Sequence, residues 1–216
     1  MSVTANMPRD LHGICSEWSK EMEPLKNTEM RMQFMQAHFP DLLKNTALFT
    51  ELVGRIARGS SYPDIHRTDA FDNEILLYLN PRRVFSIRMF LFGPEDFTPV
   101  HDHNAWAITG SVFSEVAVVR YCRDDDGSVE GSARIHETGR ETLSPGEIET
   151  ALPLNEGIHK TGNTTRYPMV MVSAYGSPVR RLYVNGYDVE KNRVYRMYPP
   201  RMKKKLLARE ALDTMG

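Results

Sequence analysis

Two histidines, His101 and His103, stand one residue apart in the stretch 98–106. The stretch is typical of a β-strand, in which residues two apart point to the same side of the sheet. Imidazole is the commonest side-chain metal ligand, so the pair indicates a metal site. The alternative is two half-buried strand histidines that bond to nearby backbone, and the pair alone does not exclude it.

A third histidine, His159, lies well downstream in the segment 153–163. Several predicted strands separate it from the first two histidines. Only a β-sandwich or a β-barrel would return the chain so that His159 lies beside them. The elements around the histidines therefore decide whether a three-histidine site exists.

The composition is that of an ordinary globular domain. The 216 residues include 27 basic and 28 acidic side chains, a net charge of −1 that predicts neither nucleic-acid nor membrane binding. We find no apolar run that would span a bilayer and no secretory signal pattern in residues 1–10. Cys15 and Cys122 form no metal-type spacing, and reduced thiols in a cytoplasmic protein are expected. The sequence does not indicate an oligomeric state.

Residues 1–66 are predicted to form an N-terminal helical region that packs on a larger body. Asp10 can cap a first helix, whose apolar residues recur at helical spacing. A second helix is expected to end near His38, because Pro40 disfavours helix in the residue before it. A third helix is expected to stop at Gly59.

From Glu74 onward the pattern changes to short strands rich in aromatic and β-branched residues, with Gly or Pro in most gaps. Many short strands at regular spacing predict a β-sandwich or barrel, so the fold class is mainly β. We assign the barrel to residues 67–200. Residues 201–216 form a C-terminal tail that is compatible with a final helix.

The motifs around the histidines resemble those of the cupins. Gly93 precedes the first two histidines, and the second motif follows in the expected order, with Gly146, Pro153, Gly157, His159 and Asn163. The resemblance covers about residues 70 to 185 and implies a double-stranded β-helix, or jelly-roll barrel, after the N-terminal helical region. It also implies His101, His103 and His159 as metal ligands, with Asn163 behind His159 to orient it.

Within the cupins, the chain most resembles the thiol dioxygenases, meaning cysteine dioxygenase and especially the bacterial 3-mercaptopropionate dioxygenases. The matching segments are Leu76-Leu77-Tyr78 with Asn80-Pro81, residues 98–103 followed by Trp106, residues 158–163, and Tyr175-Gly176. The resemblance implies an Fe(II) cofactor, with dioxygen and a small-molecule thiol as substrates and a sulfinic acid as product. It implies Tyr175 as a catalytic residue and Trp106 at the substrate site.

The ligand set fits this chemistry. Many cupins have a glutamate about four residues after the second histidine, where this chain has Ala107. Three neutral imidazoles leave up to three open positions on an octahedral iron, as in the facial triad of non-haem iron oxygenases with its carboxylate replaced. Iron over manganese, nickel or zinc follows from the resemblance, since three imidazoles suit several of these metals.

The chain departs from the family next to the tyrosine. The family usually has Ser-x-His-x-Tyr, and this chain has Met171, Ser173 and Tyr175 at those positions. A serine–histidine–tyrosine proton relay is therefore absent, with Ser173 in the place of the histidine. Tyr175 can still donate a hydrogen bond to an oxygen at the metal, or it is a barrel-lining aromatic.

The substrate anchor departs too. The family has an arginine or glutamine just before the Leu-Leu-Tyr segment, where this chain has Glu74. A carboxylate there would pair with a cationic group of the substrate, and a solvent-facing strand residue is the alternative. Arg180 and Arg181 fall near the carboxylate-binding arginine of the mercaptopropionate enzymes, and Arg181 is the candidate for that role.

Three functions stay open at this point. The first is a thiol dioxygenase, and the second is a cupin oxygenase that acts on a non-thiol small molecule with a cationic group. The third is a non-catalytic metal-binding cupin, such as a sensor or storage protein, although no DNA-binding motif accompanies the predicted barrel.

Overall fold

The computed structural model describes residues 10–66, 70–178 and 183–215. Helices flank a body of strands in the order α1–α3, β1–β11, α4. The helices are α1 (Leu11–Met22), α2 (Thr28–Leu43), α3 (Thr46–Ala57) and α4 (Pro200–Met215). The strands are β1 (Glu74–Leu79), β2 (Phe85–Phe92), β3 (Val100–His103), β4 (Ala107–Ser111), β5 (Val116–Arg123), β6 (Ile135–Leu143), β7 (Ile148–Ala151), β8 (Leu154–Gly162), β9 (Met169–Gly176), β10 (Val184–Asp188) and β11 (Arg193–Met197).

The strands form two antiparallel sheets. The five-stranded sheet has the order β1-β2-β9-β4-β7, and the six-stranded sheet has the order β11-β10-β3-β8-β5-β6. From β2 to β10 the chain passes back and forth between the two sheets, with the β5–β6 hairpin as the one exception. This winding is the double-stranded β-helix, or jelly roll, so the predicted fold class is confirmed.

The N-terminal helices cover the outer face of the five-stranded sheet. Helix α1 begins after Asp10, whose side chain accepts a hydrogen bond from Gly13 N at 2.7 Å. The apolar faces of the helices and the outward side chains of the sheet form one buried cluster, which includes Trp18, Phe39, Phe49, Phe85, Ile87, Trp106 and Val172. The burial of this surface holds the sheet rigid behind the histidines.

Helix α2 runs through Pro40 to Leu43, so the predicted end near His38 is wrong. Proline removes one backbone donor and disfavours helix before it. Phe39, Leu42 and Leu43 are nevertheless buried in the cluster below the helices. Burial of three large apolar side chains offsets the local preference, and the helix continues.

Inside the barrel, the side chains form three layers, one apolar layer to which both sheets contribute and two layers of in-register residues of the five-stranded sheet. The innermost layer is apolar and consists of Phe90, Phe92, Val116, Val118, Leu143, Met169 and Met171. A polar row lies above it, with Arg88 opposite Ser173, Ser173 opposite Thr109, and Thr109 opposite Glu149. The third layer contains Ser86, Tyr175, Ala107 and Ala151 and faces the site.

Helix α4 has no buried residue. In the described parts of the chain, no helix has both the length and the apolar character needed to cross a membrane.

Candidate metal centre

The three predicted ligands meet on the six-stranded sheet. Strands β3 and β8 pair antiparallel with His101 opposite His159, and His103 lies two residues along β3. All three side chains are buried, and one ligand nitrogen from each lies within 4.8 Å of the others. The nearest two nitrogens, Nε2 of His103 and Nε2 of His159, are 2.8 Å apart.

The spacing of His103 Nε2 and His159 Nε2 fits two ligands of one metal ion. Two imidazole nitrogens bound at about 2.1 Å to one ion, at right angles to each other, would lie about 3 Å apart. The Nδ1 of His101 is 2.9 Å from the Pro99 carbonyl oxygen, to which it can donate a hydrogen bond. That bond selects the tautomer whose Nε2 lone pair faces the other two histidines.

Burial also favours the neutral, metal-binding form of the first two histidines. Desolvation, assisted by the neighbouring His159, lowers the pKa of His101 to about 3. The same two causes, together with His101, lower the pKa of His103 well below its ordinary value. Both imidazoles therefore carry a lone pair at neutral pH, and the group can hold a transition metal ion.

A carboxylate that the sequence did not reveal lies behind the third ligand. Glu149 on β7 has a side chain that is only 1% exposed, and its Oε1 lies 2.7 Å from His159 Nδ1. Its Oε2 accepts a hydrogen bond from Arg120 Nη2 at 3.1 Å, and Arg120 also contacts Glu141. Ligating histidines usually donate their second ring N–H to such a group.

Asn163 does not take the role predicted for it. Its Nδ2 donates to the carbonyl oxygens of Gly93 at 2.9 Å and Tyr167 at 2.7 Å, and its Oδ1 accepts from the backbone and hydroxyl of Thr165. These bonds use the two donors and both lone pairs of the amide. Asn163 therefore ties two loops together, and Glu149 is the side chain next to His159.

A cavity of about 470 Å³ opens beside the histidines. Its wall includes His101, His103, Glu74, Arg88 and Tyr175. Apolar side chains complete the lining, among them Phe71, Leu76, Leu79, Val184 and Met197. A mostly apolar cavity of this volume with a few convergent polar groups suits a small organic molecule.

The cation expected next to Glu74 is a side chain of the protein itself. Glu74 is buried and forms an ion pair with Arg88, which lies on the neighbouring strand β2. Its Oε2 also accepts hydrogen bonds from the backbone N–H groups of Ala70, at 2.9 Å, and Phe71, at 3.4 Å. The hypothesis that Glu74 binds a cationic substrate is therefore corrected, because Arg88 already balances its charge.

Tyr175 lies at the cavity wall between the histidines and Arg88. Its ring centroid is 6.0 Å from that of His103, and the guanidinium carbon of Arg88 lies 5.3 Å from the Tyr175 centroid. Ser173, two residues earlier on the same face, is fully buried, and its hydroxyl bonds to that of Thr109 at 2.8 Å. Ser173 therefore belongs to the polar row.

Trp106 is not at the substrate site. It is 3% exposed and packs in the cluster between the helices and the outer face of the five-stranded sheet. Ala107 is level with Tyr175 in the layer that faces the site, and neighbouring residues on a strand point to opposite faces. The side chain of Trp106 therefore points outwards. Arg180 and the predicted substrate ligand Arg181 lie outside the described residues.

No model of a known protein family matches the chain. Among solved structures, the chain is similar to a cupin-2 domain of an XRE family transcriptional regulator from Enterobacter cloacae, with 15% identity over 49% of this chain and 96% of that chain and a TM-score of 0.36. It is also similar to a cupin 2 domain-containing protein from Halorhodospira halophila, with 18% identity, 57% and 74% coverage and a TM-score of 0.40. An oxalate oxidase matches with 16% identity, 55% and 63% coverage and a TM-score of 0.36.

The fold is a double-stranded β-helix, the jelly-roll type of barrel that cupins have, as the order of the strands in the two sheets shows. The cupin barrel thus accounts for how His159 on β8 reaches His101 and His103 on β3. The activity has to be inferred from the side chains of the site, since one fold supports many functions.

Proposed function

We propose that this protein is a non-haem iron(II)-dependent oxygenase of the thiol dioxygenase type. It would convert a small thiol to a sulfinic acid, with both atoms of dioxygen transferred to sulfur and no other co-substrate. The observation that carries the proposal is the convergence of three buried imidazoles beside a small cavity that contains Arg88 and Tyr175. Iron(II), when bound by these histidines, would supply activation of the thiol and redox chemistry with dioxygen.

Arg88 is the more exposed partner of its ion pair with Glu74 and lines the cavity, so it is the member of the pair that a substrate would contact. Its guanidinium spans from the carboxylate of Glu74 to the ring of Tyr175, and it is 19% exposed. A planar guanidinium binds a carboxylate well, because its N–H groups match the two oxygens. The preferred substrate is therefore a thiol that carries an acidic group, anchored at Arg88 with its sulfur towards the histidines.

Tyr175 is proposed as the hydrogen-bond donor beside the reacting sulfur. Its ring lies next to His103 at the cavity wall, and its phenol is a donor that can follow a developing negative charge. Arg88 against its ring helps to fix the orientation of that ring. We place the reaction in the cytoplasm, where Cys15 and Cys122 would stay free thiols.

The alternative with a cationic, non-thiol substrate loses its main support. It rested on an unpaired carboxylate at Glu74, and that carboxylate is paired with Arg88. A non-catalytic metal-binding cupin would have the same three histidines as an oxygenase. Only an experiment therefore distinguishes these two functions.

The test is oxygen consumption by protein loaded anaerobically with Fe(II). The panel contains 3-mercaptopropionate and cysteine, the cationic thiol cysteamine, which has no acidic group besides its thiol, and propionate as a non-thiol acid. We expect consumption with the acidic thiols and a sulfinic acid that carries two ¹⁸O atoms from ¹⁸O₂. His101→Ala should abolish it, whereas His136→Ala, at an exposed histidine, should not.

Each other result contradicts a specific part of the proposal. Consumption with propionate-type acids alone would overturn the thiol assignment. Binding of iron without consumption of oxygen by any compound would identify a non-catalytic protein. Failure to bind a transition metal, with His101→Ala indistinguishable from the unmodified protein, would overturn the metal site itself.

A further inference from the structure

Glu149 is a buried acid with one oxygen next to a metal ligand and the other on an arginine. Its Oε1 is 2.7 Å from His159 Nδ1, and its Oε2 is 3.1 Å from Arg120 Nη2. Oε1 and Nδ1 are not aligned for an ideal hydrogen bond, and among the described residues neither atom has another hydrogen-bond partner. Two orphaned polar atoms at this distance need only a small rotation of the ring to pair with each other.

We propose that Glu149, held by Arg120, is a positioning residue for the metal centre. It fixes His159 with the Nδ1 proton on the carboxylate side and the Nε2 lone pair towards the metal. The inference rests on the metal-binding part of the proposed function and not on the thiol reaction. The sequence around His159 does not predict this role of Glu149.

Glu149 bears first on the tautomer of His159. Nε2 of His159 lies 2.8 Å from Nε2 of His103, so the two nitrogens can bind one metal ion only when neither carries a proton. A proton on His159 Nε2 would block the metal and leave Nδ1 facing a carboxylate without a donor. The carboxylate of Glu149 disfavours that form and keeps His159 ready to bind.

Glu149 also changes the net charge around the metal site. The three ligands are imidazoles, and Ala107 stands where many cupins have a glutamate, so no described ligand is anionic. Glu149 supplies a negative charge from behind His159, on the side of the ring away from the metal position. Its counter-ion Arg120 is 41% exposed, so water weakens the opposing field of the arginine more than that of the carboxylate.

The test measures the metal centre without any substrate. Glu149→Gln keeps the size of the side chain and removes its charge. We expect the affinity for Fe(II) and Co(II), from chelator competition, to fall about 10- to 100-fold. We also expect the Fe(III)/Fe(II) reduction potential to rise, because the oxidised metal loses more stabilisation than the reduced metal.

A second variant gives the opposite sign. Arg120→Gln removes the counter-ion and leaves the carboxylate, so the reduction potential should fall and the metal should bind at least as tightly. If the substitutions acted only by loosening the fold, the metal affinity and the reduction potential would shift in the same direction in both variants. Glu141→Gln is the matched control, because Glu141 contacts Arg120 but has no described contact with His159. It should leave the metal affinity within about twofold of that of the unmodified protein and the reduction potential unchanged.

Two results would overturn the proposal. One is a folded Glu149→Gln protein whose affinity and potential equal those of the unmodified protein. The other is a shift of the potential in the same direction for Glu149→Gln and Arg120→Gln. If Glu149→Gln does not fold, the sign of the Arg120→Gln shift decides alone. Because no thiol is used, a missing oxygenase activity would not affect the outcome.

Discussion

Two glutamate–arginine pairs lie on opposite sides of the candidate site and present opposite charges to it. In the pair Glu74–Arg88 both residues line the cavity, but the arginine is the more exposed side chain, and backbone N–H groups hold the buried carboxylate. In the pair Glu149–Arg120 the carboxylate faces His159, and the arginine reaches the surface. The same chemical pair thus offers a cation to a ligand on one side and an anion to a metal ligand on the other.

One member of each pair belongs to the same row of the five-stranded sheet. Arg88 and Glu149 are its ends, and the hydroxyls of Ser173 and Thr109 lie between them. The barrel therefore separates charge across a single layer. The glutamate is buried in both pairs, whereas Arg120 is more exposed than Arg88. This difference in exposure should decide how each pair responds to mutation.

The largest effect is expected at the cavity pair. Arg88→Met leaves Glu74, whose side chain is 3% exposed, as a buried charge without its cation. Breaking a buried ion pair from one side costs about 3–5 kcal/mol of the free energy of unfolding, and the backbone bonds to Glu74 place this case at the lower end. Denaturant unfolding of the metal-free protein measures it.

The double variant Glu74→Gln/Arg88→Met is the key comparison, because it removes both charges and should recover most of the loss. Arg140→Met is the surface control, since Arg140 is 69% exposed and pairs with Glu137. A double variant as unstable as Arg88→Met would show that the arginine acts by packing and not by charge.

A smaller effect, which depends on metal, is expected at the other pair. Arg120→Met also strips a buried carboxylate of its partner, but water reaches Arg120, so we expect a loss of about 2 kcal/mol. A divalent cation at the histidines would then balance Glu149. The rise in Tm on addition of Co(II) should therefore be larger for Arg120→Met than for the unmodified protein.

The cavity pair is the reference for this measurement. Glu74 makes no described contact with a metal ligand, so Co(II) should raise the Tm of Arg88→Met by the same amount as that of the unmodified protein. Equal rises for both arginine variants would contradict the idea that only Glu149 communicates with the metal.

The histidines and the barrel could be predicted from the sequence because their signals are local or sequential. His101 and His103 share a strand face by their spacing, and Gly and Pro mark the strand ends. The partners Arg88 and Glu149 could not be predicted, because strand register brings them to the site from β2 and β7. Each is one charged residue in a short strand, with no pattern that sets it apart.

Two of the corrected side-chain roles, those of Trp106 and Asn163, have the same origin. The family resemblance implies Trp106 at the substrate site, but Trp106 immediately precedes β4 and its side chain is buried in the cluster below the helices. The motif predicts Asn163 behind His159, but its hydrogen bonds go to Gly93, Thr165 and Tyr167. Sequence proximity is a poor guide where strands from both sheets meet.

The smallest effect is expected at the middle of the polar row, where no charge is involved. Ser173→Ala removes the hydroxyl that bonds to Thr109 at 2.8 Å and should lower the free energy of unfolding by about 1 kcal/mol. The Fe(II) affinity should not change, because Ser173 makes no described contact with the histidines. A double-mutant cycle with Thr109→Val isolates the hydroxyl pair. A loss of thiol oxidation without a loss of stability would instead show that Ser173 acts on Tyr175, and would give the row a part in catalysis that its contacts do not predict.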